Sequence, residues 1–102
     1  MAEKAFISQP MNGLSDEEIK LRRDEATKYL EGHGYEVISS YFSDTKLMDD
    51  RKHPSVAYLG ASILLMSNAS IVYFLKGWEN ARGCRIEERI ASNYGITCMY
   101  ER

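Results

Sequence analysis

The sequence has no excess of positive charge, few cysteines and no long apolar run. Its 102 residues include 13 lysines and arginines against 15 aspartates and glutamates, so the net charge is −2. A nucleic-acid backbone binder needs a basic face, so no nucleic-acid polymer is expected as a partner. Cys84 and Cys98 form neither a disulfide framework nor a metal-type spacing, which fits a reducing cytoplasm. No segment reaches the ~20 apolar residues of a membrane helix, so no membrane partner is expected.

The sequence alternates between short apolar segments and longer segments of helical pattern. Strands are predicted at 5–8, 35–39, 71–75 and 96–100, and helices at 16–31, 54–66 and 84–94. Residues 40–52 are polar and are predicted to form a surface loop. Alternating strands and helices with short connections indicate a parallel sheet with right-handed crossovers. We therefore predict one α/β domain, a Rossmann-like or flavodoxin-like three-layer sandwich with about four parallel strands.

Two of the predicted helices carry further signals in their sequence. Ser15 and Glu18 have the spacing of a capping box, in which each side chain bonds the other residue's backbone N–H. In the last helix, the apolar residues Ile86, Ile90 and Tyr94 recur at helical spacing. We predict that these three residues form the buried stripe of that helix.

Two loops that contain glycine follow the first and third predicted strands, at 9–14 and 76–83. The carboxyl ends of parallel strands lie at one edge of a sheet, so both loops are expected at the same edge. Each loop also runs into a helix N-terminus, where backbone N–H groups favour anions. The pattern predicts a concave site for a small polar or anionic ligand. Neither a Walker loop nor a G-x-G-x-x-G motif is present.

Glu87 is the residue at this edge that is best suited to chemistry. It lies close to the start of the last helix and three residues before Ile90, so it borders the predicted stripe. A carboxylate in that place can reach a substrate as a nucleophile or a general base. The alternative is structural, because a helix dipole stabilises a nearby acid by ~0.3–1 kcal/mol. Composition alone favours that structural alternative.

The other side chains of this edge each have two interpretations. Trp78 could stack on a ligand or anchor a core or interface. Lys76, Arg82 and Arg85 could neutralise the carboxylate, hold an anion or remain solvated. Cys84, near a helix N-terminus, could have a lowered pKa, although a packed small residue is the simpler interpretation.

Two segments carry a resemblance to a known family, and they read ISQPMNG at 7–13 and GWENARGCRIE at 77–87. With them, the chain resembles the small bacterial and phage family DUF4406. That family is similar to the nucleoside 2-deoxyribosyltransferases and to the deoxynucleoside 5′-phosphate N-hydrolases. The resemblance covers nearly the whole chain. It implies one nucleoside 2-deoxyribosyltransferase-like domain over residues 1–102.

The resemblance implies cleavage of an N-glycosidic bond with Glu87 as the nucleophile. The carboxylate attacks the anomeric carbon, the nucleobase leaves, and a second base or water resolves the glycosyl-enzyme ester. The substrate is then a nucleoside or nucleotide, and no metal or cofactor is needed. The residues expected around the substrate are Ser8, Gln9, Met11, Gly13, Gly77, Trp78, Glu79, Asn80 and Gly83.

Two other functions remain open at this point. Ala81 stands where the transferases usually hold an aspartate, and the loop after the first strand has no tyrosine. These departures favour a non-catalytic nucleotide-binding or sensing module of the same fold. The apolar residues at 41–42 and the oligomeric habit of the relatives favour a homodimer or a larger homo-oligomer.

Overall fold

Four parallel strands form one sheet in the computed structural model, which describes residues 2–40, 42 and 44–102. The strands are β1 (Glu3–Ser8), β2 (Tyr35–Val37), β3 (Ile71–Phe74) and β4 (Thr97–Tyr100). Their order across the sheet is β2-β1-β3-β4, and every neighbouring pair is parallel. β1 and β3 are central, which explains why their sequences are almost continuously apolar.

Helices connect the strands and cover both faces of the sheet. They are α1 (Asp16–Gly32), α2 (Lys46–Asp49), α3 (Pro54–Met66) and α4 (Arg82–Asn93). A short 3₁₀ turn, Trp78–Asn80, lies between β3 and α4. Within the described part of the chain, no helix is both long and apolar enough to cross a bilayer. The fold is the predicted Rossmann-like α/β domain with a four-stranded parallel sheet.

The core has two halves because successive strand residues point to opposite faces of the sheet. The half on the α1 side is formed by Ala5, Ile7, Ala26, Leu30, Ile71, Tyr73 and Leu75. The half on the α3 and α4 side is formed by Phe6, Met66, Val72, Phe74 and Ala91. The helices therefore lie in two layers, with the sheet between them.

Half of the capping box predicted at the start of α1 is confirmed, namely the bond to the Ser15 side chain, whereas the Glu18 carboxylate meets the Ser15 hydroxyl and not its backbone N–H. The Ser15 hydroxyl accepts a hydrogen bond from the Glu18 backbone N–H at 3.1 Å, and it donates to the Glu18 carboxylate at 3.3 Å. At the other end, Gly34 follows the helix with φ of +88°, a conformation that favours glycine. These local signals set the limits of α1 close to the predicted ones.

The predicted buried stripe of α4 is wrong for Ile86 and Tyr94, whereas Ile90 packs against the core. The helix begins at Arg82, and its buried residues are Cys84, Glu87 and Ala91. Ile86 lies at the surface, and Tyr94 is 81% exposed. Small side chains such as those of Cys84 and Ala91 let a helix approach a sheet closely. Glu87 therefore lies within the buried stripe rather than at its margin.

The segment predicted as a loop at 40–52 contains the short helix α2. Met48 is buried there, which gives this polar segment a hydrophobic anchor against the rest of the fold. Of the apolar pair at 41–42, Tyr41 lies outside the described residues. The Phe42 ring packs edge-on against Tyr58 of α3, with ring centroids 6.1 Å apart.

Candidate active site

A cavity of about 610 Å³ lies at the carboxyl edge of the sheet. It is bounded by the loop at 9–12 after β1 and by residues 80–87 at the start of α4. Its third wall is one side of α3, where it is lined by Ser55, Val56, Tyr58, Leu59 and Ser62. The volume is in the range of small-molecule sites in proteins. The predicted edge of the sheet therefore carries a ligand-sized cavity.

Glu87 lines this cavity while being almost completely buried, with 7% of its surface exposed. The Ser8 hydroxyl, at the end of β1, donates a hydrogen bond of 2.6 Å to Oε1 of the Glu87 carboxylate. Ser8 is also buried, so the strand and the helix are joined by a polar contact inside the protein. A short hydrogen bond to a carboxylate is of the strong, charge-assisted type. It fixes the orientation of the carboxylate toward the cavity.

Burial raises the pKa of Glu87 above its ordinary value, because the charged form loses solvation. The hydrogen bond from Ser8 acts in the opposite direction and partly offsets that rise. Burial also raises the pKa of the Cys84 thiol, with the Glu87 charge adding to the effect. Cys84 is therefore a packed, protonated thiol, and the alternative of a lowered pKa is not supported.

The predicted residues of the first loop separate into two groups. Gln9 and Met11 line the cavity. The Gln9 side chain also donates to the Ile19 carbonyl at 2.7 Å, which ties the loop to α1. Gly13 lies in a turn with φ of +80° and does not line the cavity. Its conformation explains the glycine without a ligand.

The predicted residues of the second loop lie on two different cavities. Asn80 and Gly83 line the same cavity as Glu87. Gly77, Trp78 and Glu79 instead line a smaller one of about 410 Å³, next to the end of β4.

Trp78 belongs to an aromatic cluster at the end of the sheet. Its ring centroid lies 5.4 Å from that of Phe74 and 5.4 Å from that of Tyr100. Phe74 is fully buried, so the cluster continues the hydrophobic core. These contacts favour the interpretation of Trp78 as a core anchor.

The cavity has a positive character apart from Glu87. Arg82 and Arg85 line it, whereas Lys76 lies on the smaller cavity. Among the described residues, neither arginine forms an ion pair with Glu87. α4 begins at this cavity without a side-chain cap, so its first backbone N–H groups have no side-chain acceptor. Helix N-termini of this kind attract anions.

The wall formed by α3 was not predicted from the sequence. Ser55, Tyr58 and Ser62 bring hydroxyl-bearing residues to the cavity. The Tyr58 hydroxyl donates to Asp49 of α2 at 2.7 Å, and this hydrogen bond lowers the pKa of Asp49. The apolar spacing of α3 indicated a helix, but not its position beside the two loops. Elsewhere in residues 2–40, 42 and 44–102, no three His, Cys, Asp or Glu side chains are grouped to hold a metal ion.

The pH dependence of stability provides a test of the buried carboxylate. The folded-state pKa of Glu87 is raised, so its protonated form favours folding and that contribution is lost as the pH rises above the ordinary value of 4.5. We expect Glu87→Gln to match the wild type near pH 4 and to be more stable near pH 8, by on the order of 1 kcal/mol. Thermal melts at the two pH values measure the difference, as a melting temperature higher by ~4–8 °C.

Glu88→Gln is the control for this measurement. The neighbouring carboxylate lies on the outer side of α4 and accepts hydrogen bonds from Tyr100 at 2.8 Å and from Ser92 at 3.2 Å. Because that side chain accepts two hydrogen bonds in the folded protein, its replacement should give no gain in stability. If the stability of Glu87→Gln relative to the wild type is no greater at pH 8 than at pH 4, the assignment of a desolvated carboxylate is contradicted.

The fold and the cavity together define a small Rossmann-like α/β protein with a buried carboxylate at a ligand-sized site. A family model described as "Domain of unknown function (DUF4406)" matches residues 3–100, and the chain belongs to that family. We found no match to a curated protein or to a solved structure. The predicted family membership is confirmed, whereas the resemblance to the deoxyribosyltransferases remains a prediction.

Proposed function

We propose that this protein cleaves the N-glycosidic bond of a (deoxy)nucleoside or (deoxy)nucleotide, or transfers its sugar, with Glu87 as the nucleophile. The observation that carries the proposal is the buried hydrogen bond of 2.6 Å from Ser8 to Glu87 Oε1, on the wall of the cavity. One carboxylate oxygen is held by that bond. The other has no hydrogen-bond donor among the described residues and is available for attack.

The reaction needs two steps at the anomeric carbon of the sugar. In the first, an oxygen of the ionised Glu87 forms a bond to that carbon, and the nucleobase leaves with the electrons of the C–N bond and takes up a proton from solvent water. In the second, water or another nucleobase attacks the same carbon and displaces the carboxylate. Each step is easier than a direct displacement, as in retaining glycosidases.

The charges around the cavity favour a nucleotide over a neutral nucleoside. The phosphate group of a nucleotide is an anion, and Arg82 and Arg85 line the cavity beside the start of α4. The uncapped N-terminus of α4 adds backbone donors at the same place. A phosphate on these groups would leave the sugar between them and the carboxylate.

Release of free base is the direct test of this proposal. The protein is incubated with each deoxynucleoside and each deoxynucleoside 5′-monophosphate, with and without a second base, and the products are separated by chromatography. We expect free base from at least one nucleotide. Formation of a new nucleoside with the second base would identify transfer rather than hydrolysis. Absence of both products and of nucleotide binding would refute the proposal.

A non-catalytic nucleotide-binding or sensing module is the second candidate. Glu87 is the one carboxylate that lines the cavity in the described part of the chain, and Ala81 lines it without an acidic group. A departing base would then have no second carboxyl group to protonate it. Saturable binding of a nucleotide in calorimetry, with no free base after prolonged incubation, would favour this candidate over the first.

The effect of Ser8 on Glu87 gives a further prediction. Ser8→Ala removes a hydrogen bond to a charged group, worth about 1.5–3 kcal/mol, so base release should fall roughly 10- to 100-fold. Because Ser8 lowers the pKa of Glu87, its loss should also shift the acidic limb of the pH–rate profile to higher pH. The profile of kcat/KM against pH measures both changes.

Ser92→Ala is the matched control for Ser8→Ala. Ser92 is an exposed serine of α4 that bonds Glu88, at 3.2 Å, and not Glu87. Its removal should leave the rate and the profile unchanged. If Ser8→Ala lowers the rate but leaves the acidic limb in place, Ser8 acts only on structure. The assignment of Ser8 as a positioning residue would then be wrong.

A further inference from the structure

A second cavity lies on the α1 side of the sheet, away from the candidate active site. Its volume is about 740 Å³, and among the described residues it shares no lining residue with the cavity that contains Glu87. The helix α1 lies nearest β2 and β1, so it leaves open the part of the sheet face formed by β3 and the edge strand β4. The walls are three residues of α1, Tyr73 of β3 and residues 98–102, which include the end of β4. We refer to this space as the α1 cavity.

The feature of the α1 cavity that points to a ligand is the hydroxyl of Tyr73. This residue is 6% exposed, and its ring stacks on that of Tyr29 with centroids 5.5 Å apart. The hydroxyl forms no hydrogen bond with any residue at 2–40, 42 or 44–102. Every fully enclosed side-chain nitrogen or oxygen in this part of the chain has a partner, so the Tyr73 hydroxyl is not enclosed and faces the α1 cavity.

The hydrophobic core does not need that hydroxyl. A phenylalanine has the same ring and would keep the stacking on Tyr29. A hydroxyl that loses water without gaining a partner in the protein makes folding less favourable. Burial raises the pKa of Tyr73, and the nearby charge of Glu101 adds to the rise, so the hydroxyl stays protonated. It is therefore a neutral polar group whose hydrogen bond a ligand in the cavity would complete.

The carboxylates of the α1 cavity determine which class of ligand fits it. Oε1 of Glu101 accepts a hydrogen bond from the Lys76 backbone N–H at 2.8 Å and lies 3.6 Å from the Arg22 guanidinium. The other oxygen of Glu101, Oε2, has no donor among the described residues. Glu25 also lines the cavity, and within the described part of the chain it forms no ion pair. The cavity therefore offers acceptors for a ligand that carries N–H donors.

We propose that the α1 cavity binds a small organic cation with N–H groups, an alkylammonium or an alkylguanidinium, between Tyr29, Tyr73 and Glu101. The N–H groups donate to the Tyr73 oxygen and to Glu101 Oε2. The tyrosine rings attract the positive charge, as aromatic rings do in other sites for organic cations. The alkyl part lies along Met99, which is opposite Tyr73 in the strand pairing and packs partly buried against the core.

The two arginines near this site do not occupy those acceptors. Arg22 holds Oε1 of Glu101 from outside the cavity, and its guanidinium also donates to the Lys76 carbonyl at 2.7 Å. Arg102 lines the cavity but is exposed, and it forms no ion pair with a described residue. Its charge opposes binding of a cation, which makes it a useful probe of the sign of the ligand's charge.

A titration with four small probes tests this proposal and does not depend on any catalytic activity. Butylammonium and butylguanidinium carry N–H donors, tetramethylammonium carries the charge without them, and butanol carries the alkyl chain without the charge. The probes are added at millimolar concentration to isotope-labelled protein, and the backbone amide shifts are followed by NMR. We expect butylammonium or butylguanidinium to bind at least about 5-fold more tightly than the other two probes, with the largest shifts at residues 98–102. The tighter of the two identifies the head group.

Four variants of the same protein locate the binding. Tyr73→Phe removes only the hydroxyl and should weaken binding of the tighter probe roughly 10-fold or more, because a hydrogen bond to a charged group is lost. Its melting temperature should not fall, since the removed group has no partner among the described residues. Glu101→Gln should weaken binding by a similar factor, while it keeps an oxygen for the Lys76 N–H. Glu25→Gln should weaken it less, and Arg102→Gln should strengthen it about 2- to 5-fold, because both residues are exposed.

Tyr94→Phe and Glu31→Gln are the matched controls, because both residues are exposed and lie outside the α1 cavity. They should bind the probes as the wild type does. The proposal is overturned if neither butylammonium nor butylguanidinium binds, if tetramethylammonium or butanol binds as tightly, or if Tyr73→Phe keeps the affinity of the wild type. A lower melting temperature of Tyr73→Phe would assign the hydroxyl to the fold and would also overturn it. Weaker binding to Arg102→Gln would contradict a cationic ligand.

Discussion

Glu87→Gln is expected to reduce the release of free base by roughly 10³-fold or more, because it removes the group that attacks the sugar. The substitution keeps the size of the side chain and an oxygen that can accept the hydrogen bond from Ser8. The cavity should therefore keep its shape, and binding of the nucleotide should change little. Measurement of kcat and of nucleotide affinity on the same samples separates the two effects.

Glu88→Gln is again the appropriate control, since that carboxylate lies on the same helix but bonds Tyr100 and Ser92. It should retain full activity. Added formate should restore part of the activity of Glu87→Ala, because a small carboxylate can occupy the vacated place. Base release that persists undiminished in Glu87→Gln and Glu87→Ala would exclude Glu87 as the nucleophile.

Phe74→Ala is expected to have the largest effect on stability, about 3–5 kcal/mol. Phe74 is fully buried at the end of β3, and its ring packs against those of Trp78 and Tyr100 with centroids 5.4 Å and 5.5 Å away. A domain of this size has a total stability of about 5–15 kcal/mol, so much of it would be lost. Urea unfolding followed by fluorescence measures the change.

Tyr94→Ala provides the aromatic control for Phe74→Ala. Tyr94 is 81% exposed after the end of α4, so its removal should change the free energy of unfolding by no more than about 0.5 kcal/mol. Similar losses in the two variants would mean that the aromatic cluster does not contribute to the core as the packing indicates. A loss confined to Phe74→Ala supports the described packing of the sheet end.

Much of the fold could be predicted because its signals are local. The helix predicted at 54–66 is α3 within the same limits, and Ser15 caps α1 by accepting a hydrogen bond from the Glu18 backbone N–H. β1 and β3 are apolar runs, as expected for the centre of a parallel sheet. The alternation of strands and helices then indicated the parallel topology. Element ends differ by one or two residues, which is the usual uncertainty of helix and strand limits.

The candidate site was predictable only in part. Glu87 and the two loops were identified, because the carboxyl ends of parallel strands share one edge of the sheet. The orientation of α4 was not identified. Its apolar spacing pointed to Ile86 and Tyr94, yet the helix packs through Cys84 and Ala91, which brings Glu87 inward. Which face of α4 packs on the sheet depends on how closely the helix approaches it. The spacing of hydrophobic residues in the sequence does not predict that distance.

Residue types and their order were thus enough to establish the element sequence, the parallel sheet and a chemically capable edge, since propensity and periodicity act over a few neighbouring residues. The contact between Ser8 and Glu87 joins residues 79 positions apart. The helix α3 forms a wall of the cavity, although no residue near it in the sequence indicates that position. Such contacts arise when separate elements pack against each other and exclude water. Packing of that kind also brings the Trp78 ring against the rings of Phe74 and Tyr100.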